Sequence, residues 1–598
     1  MPPTPLDILR TVFGYPGFRN QQQAIVEHVA EGGDALVLMP TGGGKSLCYQ
    51  IPALLRQGTG IVVSPLIALM QDQVDALRAA GVAAAYLNSS LDAQAQSEVE
   101  RQLLAGELNL LYVAPERLLT GRFLGLLEQI EVALFAIDEA HCVSQWGHDF
   151  RPEYRELTVL HERFPHVPRI ALTATADPRT REEIVERLAL SDARQFVSSF
   201  DRPNIGYRVM LKHNPRTQLM QFLDGHRGEA GIIYALSRKK VDDTAAWLAE
   251  AGIEALPYHA GLDAATRAKN QQRFLREDGV VMVATVAFGM GIDKPDVRYV
   301  AHLDMPSSIE AYYQETGRAG RDGQPSEAFM TFGMGDVVQR RRMIEEGEAP
   351  EEIKRIERGK LDALLALCET TACRRQTILR HFGEAHPGDC GGCDNCLSPA
   401  ETWDGSEAAI KVLAAIYRTG QRFGAGHIVD VLVGRETDKV LSNGHHTQAV
   451  FGKGDELDAK GWQSAIRQLT AQGFIAVDTA GFGALHLTEA ARAVFRHERA
   501  VTLRKDQPRE TRRALRRALA EDMPPPAAAL FEALRAERSR LAKAQSVPPY
   551  VIFHDTTLRA MALARPGSVA DMAELPGVGD AKLRRYGDAF LAVIRTAL

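Results

Sequence analysis

A glycine-rich run at residues 39–46, Met-Pro-Thr-Gly-Gly-Gly-Lys-Ser, carries the first residues whose types and spacing could do chemistry. Apolar residues 35–38 precede it and helix-compatible residues 47–55 follow it, which is the strand, loop and helix order of a phosphate-binding loop. Backbone N–H groups would bind phosphate oxygens, with Lys45 on the β- and γ-phosphates and Ser46 on Mg²⁺. The residues predicted to bind ATP here are Thr41, Gly42, Gly43, Gly44, Lys45 and Ser46.

Two adjacent carboxylates, Asp138 and Glu139, follow a second apolar run at residues 133–137. The carboxyl end of a parallel strand is where ligand sites lie in open α/β sheets. At that position Asp138 is predicted to hold Mg²⁺, and Glu139 to orient or deprotonate the attacking water. An Asp-Glu pair alone is usually a solvated surface, so the phosphate loop upstream is what favours the catalytic interpretation.

Five of the seven cysteines cluster at residues 368–396. Their spacing predicts a four-thiolate zinc site rather than disulfides. Cys368 and Cys373 compete for the first ligand position, because a predicted helix over residues 360–382 places them about 140° apart around its axis. We choose Cys373, since Cys368 follows the apolar face of that helix. The predicted zinc ligands are Cys373, Cys390, Cys393 and Cys396.

Length and composition limit the class of protein. The 598 residues suffice for several domains, and 45% hydrophobic residues suffice for buried cores. The sequence has neither an apolar run of eighteen residues nor a basic-then-apolar start, so we expect a cytoplasmic protein with no membrane partner. The net charge of −6 argues against a uniformly basic nucleic-acid binder, but it permits local basic grooves.

The sequence contains two successive series of alternating strands and helices, which would position the predicted site residues. This alternation predicts an α/β fold with doubly wound parallel sheets. The strand-like runs of the first series are residues 61–63, 110–113, 133–137 and 170–172, and those of the second are residues 231–234, 280–284 and 299–303. The second series has no Gly-Lys-Ser/Thr loop, so it is not expected to bind nucleotide alone.

The second series does carry two arginines, Arg318 and Arg321, separated by small residues. A pair of planar guanidinium groups on a tight turn suits recognition of a γ-phosphate across a cleft between domains. By itself this segment would more often be a surface turn with solvated charges.

Taken together, these segments resemble the motifs of superfamily 2 helicases in order and spacing. The matching segments are residues 18–22, 39–46, 64–66, 114–117, 138–141, 172–176, 258–261, 284–295 and 314–321. The stretch at residues 144–154 and the zinc cysteines narrow the resemblance to the RecQ DNA helicases, over nearly the whole chain.

The resemblance implies an α/β fold with two RecA-like parallel-sheet lobes, followed by three smaller units. The expected domains are RecA-like lobe 1 at residues 1–205, RecA-like lobe 2 at 206–340, a helical zinc-binding module at 341–402, a winged-helix domain at 403–500, a charged linker at 501–524 and a small all-α HRDC domain at 525–598. The implied cofactors are ATP, Mg²⁺ and Zn²⁺.

The family pattern also implies roles for single residues. Gln22 would read the adenine with Arg19 beside it, and Arg318 and Arg321 would complete the ATP site from the second lobe. Thr173 resembles the motif that couples hydrolysis to DNA.

One short stretch, residues 146–154, combines aromatic and basic side chains directly after the carboxylate pair. Bases stack on aromatic faces and guanidinium planes at about 1–3 kcal/mol per base, so the stretch could sense single-stranded DNA beside Glu139. The plainer alternative is an aromatic cluster that packs under a loop. The residues predicted to bind DNA or to couple it to hydrolysis are Trp146, His148, Phe150, Arg151 and Tyr154.

The expected function is ATP-driven translocation on single-stranded DNA, 3′ to 5′ by resemblance, with unwinding of duplex or junction DNA in repair and recombination. Single-strand DNA-binding protein is an expected partner, and the chain is expected to act as a monomer. The alternatives are a DNA-binding or annealing scaffold switched by ATP, and an RNA helicase. Strand displacement on tailed DNA and RNA duplexes would discriminate among them.

Overall fold

The computed structural model describes residues 3–89, 91–144, 151–288, 294–478, 484–505, 524–545 and 547–596. Along the chain it contains two α/β lobes, a helical module with clustered cysteines, a small α+β unit and a C-terminal helical unit. Within the described residues, no helix is both long enough and apolar enough to cross a membrane.

Lobe 1 is a parallel sheet with both faces buried, which confirms the predicted fold class. Its strands are β1 Ala35–Leu38, β2 Thr59–Val63, β3 Ala84–Leu87, β4 Leu110–Val113, β5 Val132–Ile137, β6 Arg169–Thr173 and β7 Arg194–Val197. They pair in the order β3-β4-β2-β5-β6-β1-β7. Leu36 and Leu38 pack in one core and Val37 in another, so β1 is apolar at every position because helices cover both faces.

The helices of lobe 1 connect these strands. They are α1 Pro5–Thr11, α2 Gln22–Ala30, α3 Leu47–Leu55, α4 Ile67–Ala79, α5 Ala93–Leu104, α6 Pro115–Leu118, α7 Gly121–Leu127, α8 Pro152–Arg155, α9 Val159–Arg163 and α10 Pro178–Arg187. Several begin at a side-chain cap, as α5 does where Asp92 accepts a hydrogen bond from the Ala95 N–H at 2.8 Å.

Lobe 2 repeats this architecture. Its strands are β8 Ile205–Leu211, β9 Gly231–Tyr234, β10 Ala255–Tyr258, β11 Val281–Ala284, β12 Tyr299–His302 and β13 Ser326–Phe332. They pair in the order β10-β11-β9-β12-β13-β8, with parallel pairings throughout the described strands. Its helices are α11 Pro215–Leu223, α12 Arg238–Glu250, α13 Ala264–Arg276, α14 Ile309–Thr316 and α15 Met334–Glu346.

The cysteine module contains α16 Glu351–Glu369, α17 Arg374–His381 and α18 Asp394–Leu397. The predicted continuous helix over residues 360–382 is therefore wrong, because the chain leaves the helix after Glu369 and starts a new one after Cys373. Cys373 is the N-cap of α17, and its sulfur accepts a hydrogen bond from the Gln376 N–H at 3.5 Å.

The next unit has the strand and helix pattern predicted for a winged helix. Its elements are β14 Thr402–Asp404, α19 Ser406–Arg418, α20 Ala425–Leu432, α21 Asp438–Ser442, α22 Ala459–Ala471, β15 Ile475–Asp478, β16 Ala484–Leu487, α23 Ala491–Phe495 and β17 Thr502–Arg504. Strands β15 and β16 pair antiparallel, and so do β14 and β17.

Strand β17 lies within residues 501–524, which the sequence predicts to form a charged linker. Arg504 is buried, and it pairs at 2.8 Å with Glu369, the last residue of α16. Glu369 also binds Arg467 of α22. This buried cluster joins the cysteine module to the winged-helix unit, so Arg467 and Arg504 have structural partners rather than solvent.

The C-terminal unit is all helical, as expected for an HRDC domain. Its helices are α24 Pro525–Gln545, α25 Pro549–Ile552, α26 Asp555–Ala564, α27 Val569–Ala573 and α28 Asp580–Thr596. The turn before α28 packs on lobe 1, where the Gly577 N–H donates to the Gly14 carbonyl at 2.6 Å. A Cβ on Gly14 would meet the Gly579 nitrogen at 2.4 Å, so this turn is a packing contact with the protein backbone.

Candidate ATP and zinc sites

The predicted ATP residues of lobe 1 meet at the carboxyl edge of its sheet. The phosphate loop follows β1, Asp138 follows β5, and Thr173 ends β6, and the order β5-β6-β1 makes these strands neighbours. The loop runs from Met39 to the start of α3 at Leu47. The structure brings these residues together because parallel strands present their carboxyl ends at one edge of the sheet.

Two glycines of the phosphate loop have conformations that side chains rarely adopt. Gly42 and Gly44 both have a φ of 82°. A Cβ on Gly44 would lie 2.3 Å from the Gln22 amide nitrogen, and one on Gly42 would lie 3.2 Å from the Cα of Arg321. The Lys45 ammonium donates to the Met39 carbonyl at 3.1 Å. The loop thus closes tightly on itself and on the second lobe.

Gln22 is hydrogen-bonded to the backbone of the phosphate loop. Its amide nitrogen donates to the carbonyls of Gly43 and Gly44, each at 3.2 Å, and its amide oxygen accepts from the Arg19 N–H at 2.9 Å. The side chain is buried. The Arg19 guanidinium lies 5.9 Å from the centre of the Tyr15 ring. An adenine-reading role for Gln22 and Arg19 stays a prediction.

Glu139 has a left-handed backbone conformation, with φ 50° and ψ 45°. Such a conformation costs a non-glycine residue about 1–3 kcal/mol and occurs preferentially at functional sites. The Glu139 N–H donates to the Asp138 carboxylate at 3.0 Å, and the Asp138 N–H donates to the Val63 carbonyl at 2.9 Å. These bonds therefore hold the Asp138 carboxylate and the backbone of Glu139 at the end of β5.

A buried polar pair connects this turn to the next strand. His141 lies with Nδ1 2.9 Å from the Thr173 hydroxyl and 3.3 Å from the Glu139 carboxylate. The Thr173 hydroxyl also accepts from the Thr175 N–H at 3.2 Å. Thr173 is fully buried, so any coupling role acts through His141 and Glu139 rather than by direct contact with DNA.

The predicted DNA-sensing stretch is described only in part. Trp146, His148 and Phe150 lie outside the described residues. Arg151 follows them, and its guanidinium donates to the Pro65 carbonyl at 3.2 Å.

Tyr154 does not present its ring for stacking, which corrects its predicted role as a base platform. Its side chain is fully buried, because α8 begins at Pro152 and turns it into the core of lobe 1. Burial raises the pKa of the Tyr154 phenol well above its usual value, so the hydroxyl stays protonated. It donates to the Asp138 carbonyl at 2.9 Å and so supports the carboxylate turn.

The arginine turn of lobe 2 lies against the phosphate loop, as predicted. Arg318 and Arg321 follow the end of α14, and Arg318 is buried. A Cβ on Gly317 would lie 3.7 Å from the Thr41 Cβ, in ordinary contact. The structure therefore brings both halves of the expected ATP site together within one chain.

Sequence reasoning missed Arg202, which lies between the two lobes. Its guanidinium binds the Thr41 carbonyl at 2.6 Å and the Gly317 carbonyl at 3.0 Å. The only feature of the sequence that could have indicated a role for Arg202 is its position between the last strand of one sheet and the first strand of the next.

The predicted zinc cysteines come together. The sulfur atoms of Cys373, Cys390, Cys393 and Cys396 all lie within 4.8 Å of one another. Four thiolates around one zinc ion at about 2.3 Å stand about 3.8 Å apart, so this cluster fits a closed tetrahedral site. Cys368 is fully buried outside this cluster, and burial raises its thiol pKa. The choice of Cys373 over Cys368 is confirmed.

The cysteine cluster is tied to the edge of the sheet in lobe 2. The Tyr207 N–H donates to the Gly392 carbonyl at 3.1 Å, and the Val209 N–H donates to Asp394 at 3.2 Å. Asp394 also forms a fully buried pair with Arg374 at 2.5 Å. Breaking such a buried pair by removing one partner costs about 3–5 kcal/mol.

Models of protein families match successive parts of the chain. They are the DEAD/DEAH box helicase at residues 19–184, the helicase conserved C-terminal domain at 214–323, the RecQ zinc-binding model at 334–397, the RQC domain at 399–512 and the HRDC domain at 527–594.

Similar curated proteins match over nearly the full length. The ATP-dependent DNA helicase RecQ of Haemophilus influenzae is 44% identical over 99% of this chain and 96% of its own length. Its counterpart from Pasteurella multocida is 44% identical over 99% and 94%, and that from Bacillus subtilis is 39% identical over 98% and 98%. The chain therefore belongs to the RecQ helicase family.

Proposed function

We propose that the protein is an ATP-dependent DNA helicase that translocates 3′ to 5′ on single-stranded DNA and separates duplex or junction DNA in repair and recombination. The observation that carries the proposal is the contact between the phosphate loop and the arginine turn, which belong to different lobes. A nucleotide held between two lobes can convert binding and hydrolysis into relative motion of those lobes. Membership of the RecQ family supports DNA, rather than RNA, as the nucleic acid on which the protein translocates.

In this mechanism the residues at the carboxyl edge of lobe 1 carry the hydrolysis. Lys45 and the loop N–H groups hold the phosphates, and Glu139 orients and deprotonates the attacking water. Mg²⁺ held by Ser46 and Asp138 would neutralise charge on the phosphates. Arg318 and Arg321 stabilise the charge that develops on the γ-phosphate.

Coupling to DNA is assigned to the stretch between Ser144 and Arg151. Both ends of this stretch are held beside the catalytic turn: the Ser144 hydroxyl donates to Glu183 at 2.6 Å, and the Arg151 N–H donates to the Cys142 carbonyl at 2.9 Å. His141 and Thr173 then connect the turn to β6. A strand that binds this stretch therefore acts on the backbone that carries Glu139.

The finer assignments follow from the same proposal. One chain supplies both the phosphate loop and the arginine turn, which supports action as a monomer. Because the proposed substrate is DNA, the protein is proposed to act at the bacterial nucleoid. Single-strand DNA-binding protein is a proposed partner because of the resemblance to the RecQ family. The winged-helix and HRDC domains are proposed to hold duplex or junction DNA.

Strand displacement tests the proposed function. We expect ATP-dependent release of a labelled strand from a duplex with a 3′ single-stranded DNA tail, with little release from the 5′-tailed or the RNA duplex. The matched control is Lys45→Ala, which removes the ammonium from the phosphates and should abolish release. Equal or faster release from RNA would favour an RNA helicase, and DNA-stimulated hydrolysis without release would favour the ATP-switched scaffold.

Replacing Trp146 with alanine tests the coupling stretch. We expect basal ATP binding and the melting temperature to stay near those of the parent, while stimulation of hydrolysis by single-stranded DNA falls, because a stacking platform is lost. The measurements are ATP turnover with and without a DNA oligonucleotide, and thermal melting. A sharp fall in melting temperature with unchanged stimulation per folded molecule would instead support the core-packing interpretation.

A further inference from the structure

Arg202 lies in the segment that joins the two lobes, between β7, which ends at Val197, and β8, which begins at Ile205. The residue is 8% exposed, although arginine is rarely buried without a partner. We propose that Arg202 is a positioning residue for ATP hydrolysis, which holds the turn that carries Arg318 and Arg321 in register with the phosphate loop. This inference deepens the proposed function and rests on it.

The contacts of Arg202 span both halves of the site. One terminal nitrogen donates to the Thr41 carbonyl at 2.6 Å and to the Gly317 carbonyl at 3.0 Å. The other donates to the carbonyls of Ala319 and Gly320, each at 2.9 Å. A guanidinium is a rigid planar fork of donors, so one group can fix four carbonyls at once. These four carbonyls belong to the phosphate loop and to the arginine turn.

The bonded carbonyls flank the two arginines closely in sequence. Gly317 and Ala319 lie on either side of Arg318, and Gly320 directly precedes Arg321. Asn204 adds a second clamp, because its amide donates to the carbonyls of Gly320 and Gln324, each at 2.9 Å. The turn therefore cannot shift relative to the connecting segment without breaking several hydrogen bonds.

The Thr41 contact distinguishes this arrangement from ordinary packing within lobe 2. The three acceptors on the arginine turn would by themselves only stabilise the turn, whereas the bond to Thr41 sets the turn against the loop that holds the phosphates. The neighbouring positive charge of Arg321 lies close enough to disfavour the charged form of Arg202, whose pKa is lowered mainly by burial.

The connecting segment is itself held by the cysteine module. Glu384 accepts from the Ser199 hydroxyl at 2.5 Å and from the Phe200 N–H at 2.7 Å. Arg375 of α17 binds Asp201 at 2.8 Å, and the Phe200 ring stacks on Phe382 with centres 4.8 Å apart. Arg202 is thus presented from a segment that is fixed on its other side, as a positioning residue requires.

The test compares Arg202→Ala and Arg202→Lys with the parent in steady-state ATP hydrolysis, in the full-length chain and with saturating single-stranded DNA. We expect KM for ATP to change less than threefold while kcat falls about tenfold to a hundredfold in the alanine variant, because phosphate binding by the loop survives while the arginines lose their register. Lysine should restore only part of kcat, since it lacks the fork.

A double-variant cycle tests whether Arg202 acts through the turn. If it does, the losses from Arg202→Ala and Arg321→Ala should combine to less than their product, because one of the two arginines that Arg202 positions is already gone. Multiplicative losses in the double variant would overturn the proposal. So would an unchanged kcat in Arg202→Ala while the parent hydrolyses ATP. A parent without ATPase activity would refute the proposed function instead.

The matched control is Arg56→Ala in lobe 1. Arg56 also binds backbone carbonyls, those of Ala133 at 2.7 Å and Ala30 at 2.9 Å, and it does not bind the arginine turn. Its loss should lower the melting temperature and leave kcat per folded molecule unchanged. If the Arg202 variants follow the same pattern as this control, Arg202 is a structural residue and the proposal fails.

Discussion

Replacing Glu139 with glutamine is expected to leave ATP binding intact and to lower turnover by two to four orders of magnitude. Glutamine keeps the size of the side chain but cannot accept a proton from water, and general-base catalysis contributes about 10²–10⁴-fold. The backbone at this position, with φ 50°, is set by the turn after β5 and should persist in the variant. Single-turnover hydrolysis and binding of a fluorescent ATP analogue measure the two effects separately.

Asp138→Asn is the matched control, because it changes the neighbouring carboxylate in the same way. Asp138 is proposed to hold Mg²⁺, so its loss should weaken binding of Mg²⁺-ATP as well as turnover. Glu139→Gln should affect turnover alone. Near-normal turnover in Glu139→Gln would remove Glu139 from the catalytic role, and equal loss of nucleotide binding in both variants would show that the two carboxylates do not have separate tasks.

The parts of the site that sequence predicts well are those in which chemistry requires particular residues at adjacent positions. The phosphate loop and the carboxylate pair are of this kind, and the structure places both at the ends of neighbouring strands. Gly42 and Gly44 need a left-handed backbone, and Lys45 must follow directly at the start of a helix. Each requirement restricts the residue types at neighbouring positions, so it can be recognised in the sequence.

Arg202 shows what such reasoning cannot find. Its partners are backbone carbonyls at Thr41, Gly317, Ala319 and Gly320, which any residue could supply, and they lie more than one hundred positions away in the chain. The residue types at those positions therefore do not indicate that their carbonyls bind an arginine. The contact follows from how two separate sheets are placed against each other.

Tyr154 illustrates a different failure. Aromatic and basic residues alternate over residues 146–154, and composition alone gives each of them an equal claim to a base-stacking role. Only the direction of α8 decides that Tyr154 points into the core, and a helix of 4 residues has too few positions to show an apolar periodicity. Its hydroxyl nonetheless reaches the Asp138 carbonyl, so the residue supports the site from within.

Cys373 lies in the cluster as predicted, although the helix geometry behind that prediction is partly wrong. The sequence predicts one helix through Cys368 and Cys373, whereas in the structure one helix ends at Glu369 and the next begins at Arg374. The predicted burial of Cys368 is confirmed, because this residue continues the apolar face of α16 and is fully buried. Hydrophobic periodicity was reliable here, and the helix boundary was not.

Loss of the zinc site is expected to abolish folding of the cysteine module. Changing Cys393 to serine removes one of four thiolates from a closed site, whose metal binding contributes folding free energy rather than catalysis. Cys393 is fully buried beside the hydrogen bonds that tie the module to β8 at Tyr207 and Val209. We expect insoluble or protease-sensitive protein, measured by limited proteolysis and by soluble yield.

Cys368→Ser is the matched control, because it makes the same atomic change in a buried cysteine outside the cluster. Burying a hydroxyl in place of a thiol costs about 1–3 kcal/mol, so this variant should fold, melt somewhat earlier and retain one zinc ion per chain. Elemental analysis of soluble protein decides the assignment. Full zinc in a Cys373→Ser variant, with none in Cys368→Ser, would show that Cys368 is the first ligand. Near-parental zinc content and protease resistance in Cys393→Ser would show that the metal does not hold this module together, since a closed site cannot lose a thiolate without losing most of its affinity.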